Sequence, residues 1–130
     1  LDRLSHETET VGNPVLSLIR QLVEQTPAEV AKYIHWGATT REIQDNVAML
    51  QMRGSLQLVN RHLQELSTIL RSFAEKYRDT LMAGRTHLQH ALPRTFGYKC
   101  AVYLSSNLRH LERLQKTQKR CMLAQFGGAS

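Results

Sequence analysis

Residue types that stabilise secreted or membrane-spanning proteins are scarce in this chain of 130 residues. There are 2 cysteines, too few for a disulfide framework, and no apolar run approaches the ~20 residues of a transmembrane helix. No signal-peptide pattern opens the sequence. Glycine, proline and aromatic residues are also sparse, which favours a helical globular protein. We therefore expect a cytoplasmic protein with no membrane partner.

The two cysteines, Cys100 and Cys121, stand in a stretch that is predicted to be a single helix. Their separation corresponds to about 30 Å along a helix, which is too far for an intrachain disulfide. We expect two free thiols that pack as small buried apolar residues, as suits a reducing cytosol.

The formal net charge is +6, so nucleic-acid binding has to be considered. The basic residues are spread along the predicted helices, however, and their densest group is Lys116, Lys119 and Arg120. No aromatic residues interleave with them, and no zinc-finger spacing is present. We favour a solvated or subunit-facing surface and expect no nucleic-acid partner, although a basic helical nucleic-acid binder stays an alternative. The positive charge would also suit an anionic substrate with several carboxylates.

Two long helices are predicted, after a shorter helix that begins at Pro14 and a turn over residues 28–32. Thr39 or Thr40 is the expected N-cap of the first long helix, and Glu42 is its first-turn acid. The apolar residues of that helix alternate steps of three and four, which is typical of a bundle seam; they are Met49, Met52, Leu56, Val59, Leu63, Leu66, Leu70, Phe73 and Tyr77.

The second long helix is predicted from Arg94 to Leu123, with Gly127 and Gly128 ending it. Two such helices cannot cover each other's seams in a domain whose radius of gyration should be about 14 Å. The seams need further helices from other sequence or other subunits. We therefore predict an all-α long-helix bundle that is part of a larger protein; a free-standing elongated dimer is the alternative.

Polar groups concentrate where the helical pattern breaks. The clusters lie at residues 35–40, 82–93 and 125–130. The middle cluster combines a cation, a hydroxyl and an imidazole in Arg85, Thr86 and His87, and an imidazole can transfer protons near neutral pH. These breaks therefore hold groups that are capable of acid–base chemistry; on position alone, a structural role for His87 at the break between the helices is the alternative.

These clusters also carry a family resemblance, through the words GNP (12–14), YIHWGATTREIQD (33–45), AGRTHLQHALPRTFGYK (83–99) and AQFGGAS (124–130). Together they resemble the fumarase/aspartase superfamily of elimination–addition enzymes. Within it the likeness is greatest to bacterial-type 3-carboxy-cis,cis-muconate cycloisomerases, with adenylosuccinate lyases next. The resemblance implies a fragment of that fold, in which residues 1–34 belong to an N-terminal helical domain and residues 35–130 to the central bundle domain. It also implies a homotetramer with active sites shared between subunits.

The implied reaction is cycloisomerisation or β-elimination on a small polycarboxylate, without metal or other cofactor. A base removes the proton next to a carboxylate, and fixed donors stabilise the resulting aci-carboxylate. By resemblance the catalytic residues are His87, as acid or charge-orienting partner, and His35. The resemblance assigns substrate binding to Thr39, Thr40, Thr86, Gln89 and Ser130. Arg85 is a further candidate, because a guanidinium can bind a carboxylate with two hydrogen bonds; a structural residue bonded to helix-end carbonyls is the alternative.

Some residues depart from the family pattern. Many bacterial cycloisomerases have tryptophan where this chain has His87, and Gln-Asp is common where it has Arg41 and Glu42. The family's SS-x-MP-x-K-x-N loop, whose serine is the proposed base, has no counterpart here, so we expect no lyase turnover from this chain alone. An adenylosuccinate lyase-like enzyme and a non-catalytic helical scaffold are the alternative interpretations.

Overall fold

The computed structural model describes residues 1–128, and most of them are helical. The elements are α1 (Asp2–Val11), α2 (Pro14–Glu24), α3 (Ala28–Ala31), α4 (Thr40–Lys76), β1 (Leu81–Met82), β2 (Arg85–Thr86), β3 (Gln89–His90), β4 (Arg94–Thr95) and α5 (Phe96–Cys121). The all-α prediction is confirmed. Among the described residues no helix combines the length and the apolar character that crossing a bilayer requires.

The chain divides into two compact units. Unit 1 comprises Leu1–Gln51 and Leu123–Ser130, and unit 2 comprises Met52–Met122, so that α4 contributes residues to both. The predicted domain boundary between residues 34 and 35 concerns the larger protein and stays a prediction.

Unit 1 begins with a helix that the polar first residues did not suggest. Helix α1 ends at Gly12, which adopts a left-handed conformation and donates its N–H to the Thr8 carbonyl. Helix α2 begins as predicted at Pro14, where the Asn13 side chain accepts the Val15 N–H at 2.9 Å. Arg3 on α1 holds the Glu24 carboxylate of α2 through two hydrogen bonds of 2.7 and 2.9 Å.

Unit 2 contains a helical hairpin. The buried Asn107 of α5 donates its side-chain N–H groups to the Leu63 carbonyl and the Ser67 hydroxyl of α4, at 2.7 and 2.8 Å. Near the turn, Gly97 lies against backbone atoms of the end of α4, where no Cβ would fit. These contacts fix α5 on α4 and set the position of the connection between them.

The helical hairpin of unit 2 leaves much of the predicted seam uncovered. Met52, Val59 and Leu66 of α4 are exposed in this chain. The sequence expectation that α5 alone would not bury this stripe is therefore confirmed for these three residues.

Two expectations about α5 were wrong. The helix ends at Cys121, with the Met122 N–H bonded to the Gln118 carbonyl, and is not ended by the later glycines. Both thiols are free as predicted, but only Cys100 is buried. Cys121, the last residue of the helix, is exposed.

Candidate active site

The first candidate group surrounds the start of α4 in unit 1. His35 and Gly37 both have left-handed backbones, with φ of 63° and 74°, so the chain turns sharply before the helix. The Nδ1 atom of His35 is buried and has no hydrogen-bond partner within residues 1–128. A non-glycine residue in this region of φ carries strain, which the surrounding structure must hold in place.

Thr39 is the N-cap of α4. Its hydroxyl accepts the Glu42 N–H at 3.3 Å, and its own N–H donates to Glu42 Oε2 at 2.7 Å, which forms a capping box. The Thr39 hydroxyl therefore has a structural role as an acceptor, and its hydrogen bond with the Glu42 side chain also helps to lower the pKa of that carboxyl. Thr40, the first helical residue, is exposed.

Glu42 has a larger role than its sequence position suggested. Its side chain is only 5% exposed, and Oε1 accepts the backbone N–H groups of Gly127 and Gly128, the latter at 2.8 Å. Hydrogen bonds from the Thr39 and Gly127 backbone N–H groups hold the pKa of this carboxyl below its ordinary value. The carboxylate therefore joins two segments that are far apart in sequence.

One turn further along α4, Asn46 holds the same terminal segment. Its side-chain Nδ2 donates to the Gln125 carbonyl at 2.7 Å, and its Oδ1 accepts the Gln125 N–H at 3.0 Å. The side-chain amide thus satisfies both backbone groups of one residue. The sequence analysis did not single out Asn46, because nothing local indicates a partner 79 positions away.

The second candidate group lies in unit 2, on the connection between α4 and α5. Strands β1 and β4 pair antiparallel, and strands β2 and β3 form a hairpin beyond them. The Ala91 N–H donates to the Gly84 carbonyl at 2.8 Å and links the two ladders. A Cβ on Gly84 would overlap the Leu92 carbonyl oxygen, so this glycine permits the close approach of the chain. The predicted break is therefore a β-ribbon.

His87 and Leu88 form the tip of the β2–β3 hairpin. Their φ angles are 47° and 62°, so both central residues are left-handed, as in a type I′ turn. Such turns strongly prefer asparagine and glycine, and leucine is disfavoured there. Both side chains are exposed in this chain. The turn therefore holds the exposed imidazole of His87 on a backbone conformation that neither histidine nor leucine intrinsically favours.

The register of the hairpin separates the remaining candidates. Thr86 pairs with Gln89, and Arg85 pairs with His90. Paired residues share a face and neighbouring residues alternate, so Thr86 and Gln89 lie on one face while Arg85 and His90 lie on the other. Thr86 and Gln89 can therefore contact one ligand group together, whereas Arg85 starts from the opposite face.

The predicted site residues thus fall into two sets. His35, Thr39 and Thr40 belong to unit 1, whereas Arg85, Thr86, His87 and Gln89 belong to unit 2. Ser130 lies outside the described residues. Within residues 1–128, no group of three or more histidine, cysteine or acidic side chains could hold a metal ion.

Comparison with known proteins identifies the family. A family model described as "Lyase" matches residues 4–130. The chain is 41% identical to "Trans-aconitate decarboxylase 1" of Mycosarcoma maydis, over 95% of this chain and 25% of the relative. It is 41% identical to a 3-carboxy-cis,cis-muconate cycloisomerase of Pseudomonas aeruginosa, over 98% and 28% respectively. It is 37% identical to an adenylosuccinate lyase of Pyrococcus abyssi, over 99% and 28%.

The fold agrees with these matches. The structure superposes on the crystal structure of a fumarate lyase from Mesorhizobium sp. BNC1 with a TM-score of 0.92 and 49% identity, covering 99% of this chain and 30% of that one. The chain therefore spans about a quarter to a third of the length of the proteins that it matches. The predicted resemblance is confirmed, and the chain belongs to the lyase family of the fumarase/aspartase superfamily.

Proposed function

We propose that this chain is part of a cytoplasmic enzyme that acts on a small polycarboxylate, by cycloisomerisation or β-elimination through an aci-carboxylate intermediate. The observation that carries the proposal is the exposed His87 imidazole, held on a hairpin tip with two consecutive left-handed residues. Backbone strain of this kind persists where the surrounding structure enforces it, and it concentrates at functional sites.

His87 is the proposed acid or charge-orienting partner. An imidazole can donate a proton near neutral pH, and its place on a tight turn limits the number of positions that it can occupy. Thr86 and Gln89 lie together on one face next to it and can donate hydrogen bonds to a carboxylate. Arg85 is on the opposite face, so we assign it a weaker role in the same site.

Thr39 and Thr40 are the proposed carboxylate-binding residues. They stand at the positive end of the α4 dipole, where hydroxyl and backbone donors favour an anion. His35 precedes them on a strained turn, and its buried Nδ1 atom has no hydrogen-bond partner within residues 1–128, a cost that a functional role of the ring would account for. His35 is the second proposed catalytic residue.

Assembly into a homotetramer with shared sites is part of the proposal. The exposed apolar residues of the α4 seam support it, because a long helix that is uncovered in this way calls for further helices. The site requires no cofactor, since hydrogen-bond donors can stabilise the intermediate. The base would come from sequence outside this chain.

The substrate is proposed as a class. The relatives are named for carboxymuconate, adenylosuccinate and trans-aconitate, and each of these molecules carries several carboxylates. Carboxymuconate is our first candidate because of the GNP, HWGATT and QFGGAS words taken together. Adenylosuccinate is the second candidate, because an adenylosuccinate lyase is also among the relatives.

The test is an assay of the complete polypeptide that contains this chain against the three named substrates. We expect turnover of one of them, and a Thr40→Val variant should raise KM about 10- to 100-fold, the effect of losing a hydrogen bond to a charged group. Thr68→Val, on an exposed face of α4, is the matched control and should leave KM unchanged. Absence of turnover on all three, with a folded protein, would favour a helical scaffold.

A further inference from the structure

We propose that Glu42 and Asn46 are positioning residues that fix the Gln125–Gly128 segment beside the first turn of α4. This inference rests on the proposed function, because the first turn of α4 carries the proposed carboxylate-binding threonines. Neither side chain is assigned to the reaction itself. Together they are called the α4 anchor below.

The contacts of the anchor are complementary. Asn46 satisfies both backbone groups of Gln125, and Glu42 accepts the N–H groups of Gly127 and Gly128. Because the two anchor residues are four positions apart on α4, they lie on the same face of the helix. The backbone of this segment is thus held at three of four consecutive residues, Gln125, Gly127 and Gly128.

The geometry favours glycine at both positions. A Cβ on Gly127 would stand 3.3 Å from the Glu42 carboxylate oxygen, closer than most packed carbons. Gly128 has φ of +85°, which L residues with side chains rarely adopt. The backbone amides of both glycines are used by Glu42, so they serve to anchor the segment. The chain that continues from them leads directly to Ser130, the predicted substrate-binding serine.

The same carboxylate also fixes Thr39. Glu42 Oε2 accepts the Thr39 N–H at 2.7 Å while Oε1 holds the glycines. One side chain therefore sets the distance between the helix start that carries Thr39 and Thr40 and the terminal segment. A shift in Glu42 would move both parts at once, and small displacements of binding groups reduce turnover strongly.

The test uses the complete polypeptide with Glu42→Gln and Asn46→Ala. Glutamine has the size of glutamate but only one acceptor oxygen, so it cannot serve both sides. Asn46→Ala leaves the capping box of α4 intact and keeps the test valid if Glu42→Gln folds poorly. Glu42→Asp keeps both oxygens at a shorter reach. Glu75→Gln is the control, because Glu75 is an exposed α4 residue that pairs only with Arg71 among the contacts described for residues 1–128.

The readouts are amide hydrogen exchange at Gly127 and Gly128, and kcat and KM. We expect Glu42→Gln and Asn46→Ala each to speed exchange at least tenfold and to lower kcat/KM at least tenfold, with partial recovery in Glu42→Asp and no change in Glu75→Gln. Unchanged exchange in both variants overturns the inference. Faster exchange with unchanged kcat/KM overturns the positioning role and leaves the proposed lyase intact, whereas a wild type without turnover overturns both.

Discussion

Replacing Leu88 with glycine tests whether the hairpin tip is strained. Leu88 is 101% exposed and has φ of 62°, so the substitution removes a left-handed side chain without removing buried surface. The left-handed conformation costs a non-glycine residue ~1–2 kcal/mol. Glycine loses ~0.5–1 kcal/mol more backbone entropy on folding. The difference predicts that Leu88→Gly stabilises the protein by about 0–1.5 kcal/mol.

The matched control is Leu92→Gly. Leu92 is also largely exposed, but it does not have a positive φ, so glycine there should destabilise by ~0.5–1 kcal/mol. Urea denaturation of the two variants and the wild type measures the difference. If Leu88→Gly lowers stability as much as Leu92→Gly does, the tip is not strained and the argument from His87 loses its support.

Leu88→Gly also tests function in the complete polypeptide. Glycine at position 88 favours the left-handed conformation that the tip already has, so the turn that holds His87 should be retained and kcat should stay within about twofold of the wild type. Leu92→Gly does not alter the tip and should also leave kcat close to the wild-type value. A fall in kcat of about tenfold or more in Leu88→Gly alone, ~1.4 kcal/mol, would show that turnover depends on the leucine side chain and not on the tip conformation.

Three further predictions concern packing and pH. Gly97→Ala would place a Cβ 2.7 Å from the Ala74 and Tyr77 carbonyl oxygens and should cost more than about 2 kcal/mol in urea denaturation. Asn107→Ala should cost about 1–3 kcal/mol by the same assay, because it removes a buried hydrogen-bonding side chain. The pKa of Glu42 is lowered in the folded protein. The stabilisation by its carboxylate is therefore present above the ordinary glutamate pKa and is lost as the pH falls through the pKa of the folded state. Amide exchange at the residues it holds, corrected for intrinsic pH dependence, should therefore accelerate only below about pH 4.5.

Local signals in the sequence predicted the helical parts well. Pro14 after Asn13 marked the start of α2, and Thr39 followed by Glu42 marked the start of α4, because both signals act within a single turn of the helix. Helix α1 was not predicted, since it is polar and buries none of its residues.

The β-ribbon was not predictable in the same way. Each of its strands has only two residues, too few to show an alternating pattern, and its tip carries His87 and Leu88 in place of the usual asparagine and glycine. The sequence did predict a break between the two long helices, and this expectation was met.

The α4 anchor depends on contacts that no local pattern reveals. Glu42 and Gly127 are 85 positions apart, so the sequence offered a first-turn acid and a pair of glycines without any link between them. Local propensity predicted that these glycines end a helix. That prediction was wrong, because hydrogen bonds to the buried Glu42 carboxylate determine the position of Gly127 and Gly128.

The most direct test of the proposed mechanism follows the proton next to the substrate carboxylate in the complete polypeptide. Elimination and exchange of this proton with deuterated solvent are measured for His87→Ala and for the control His90→Ala. If His87 acts after proton removal, elimination in His87→Ala should fall about 10²- to 10⁴-fold while exchange persists, and His90→Ala should retain both. Equal elimination rates in the two variants would contradict the proposed role of the hairpin tip.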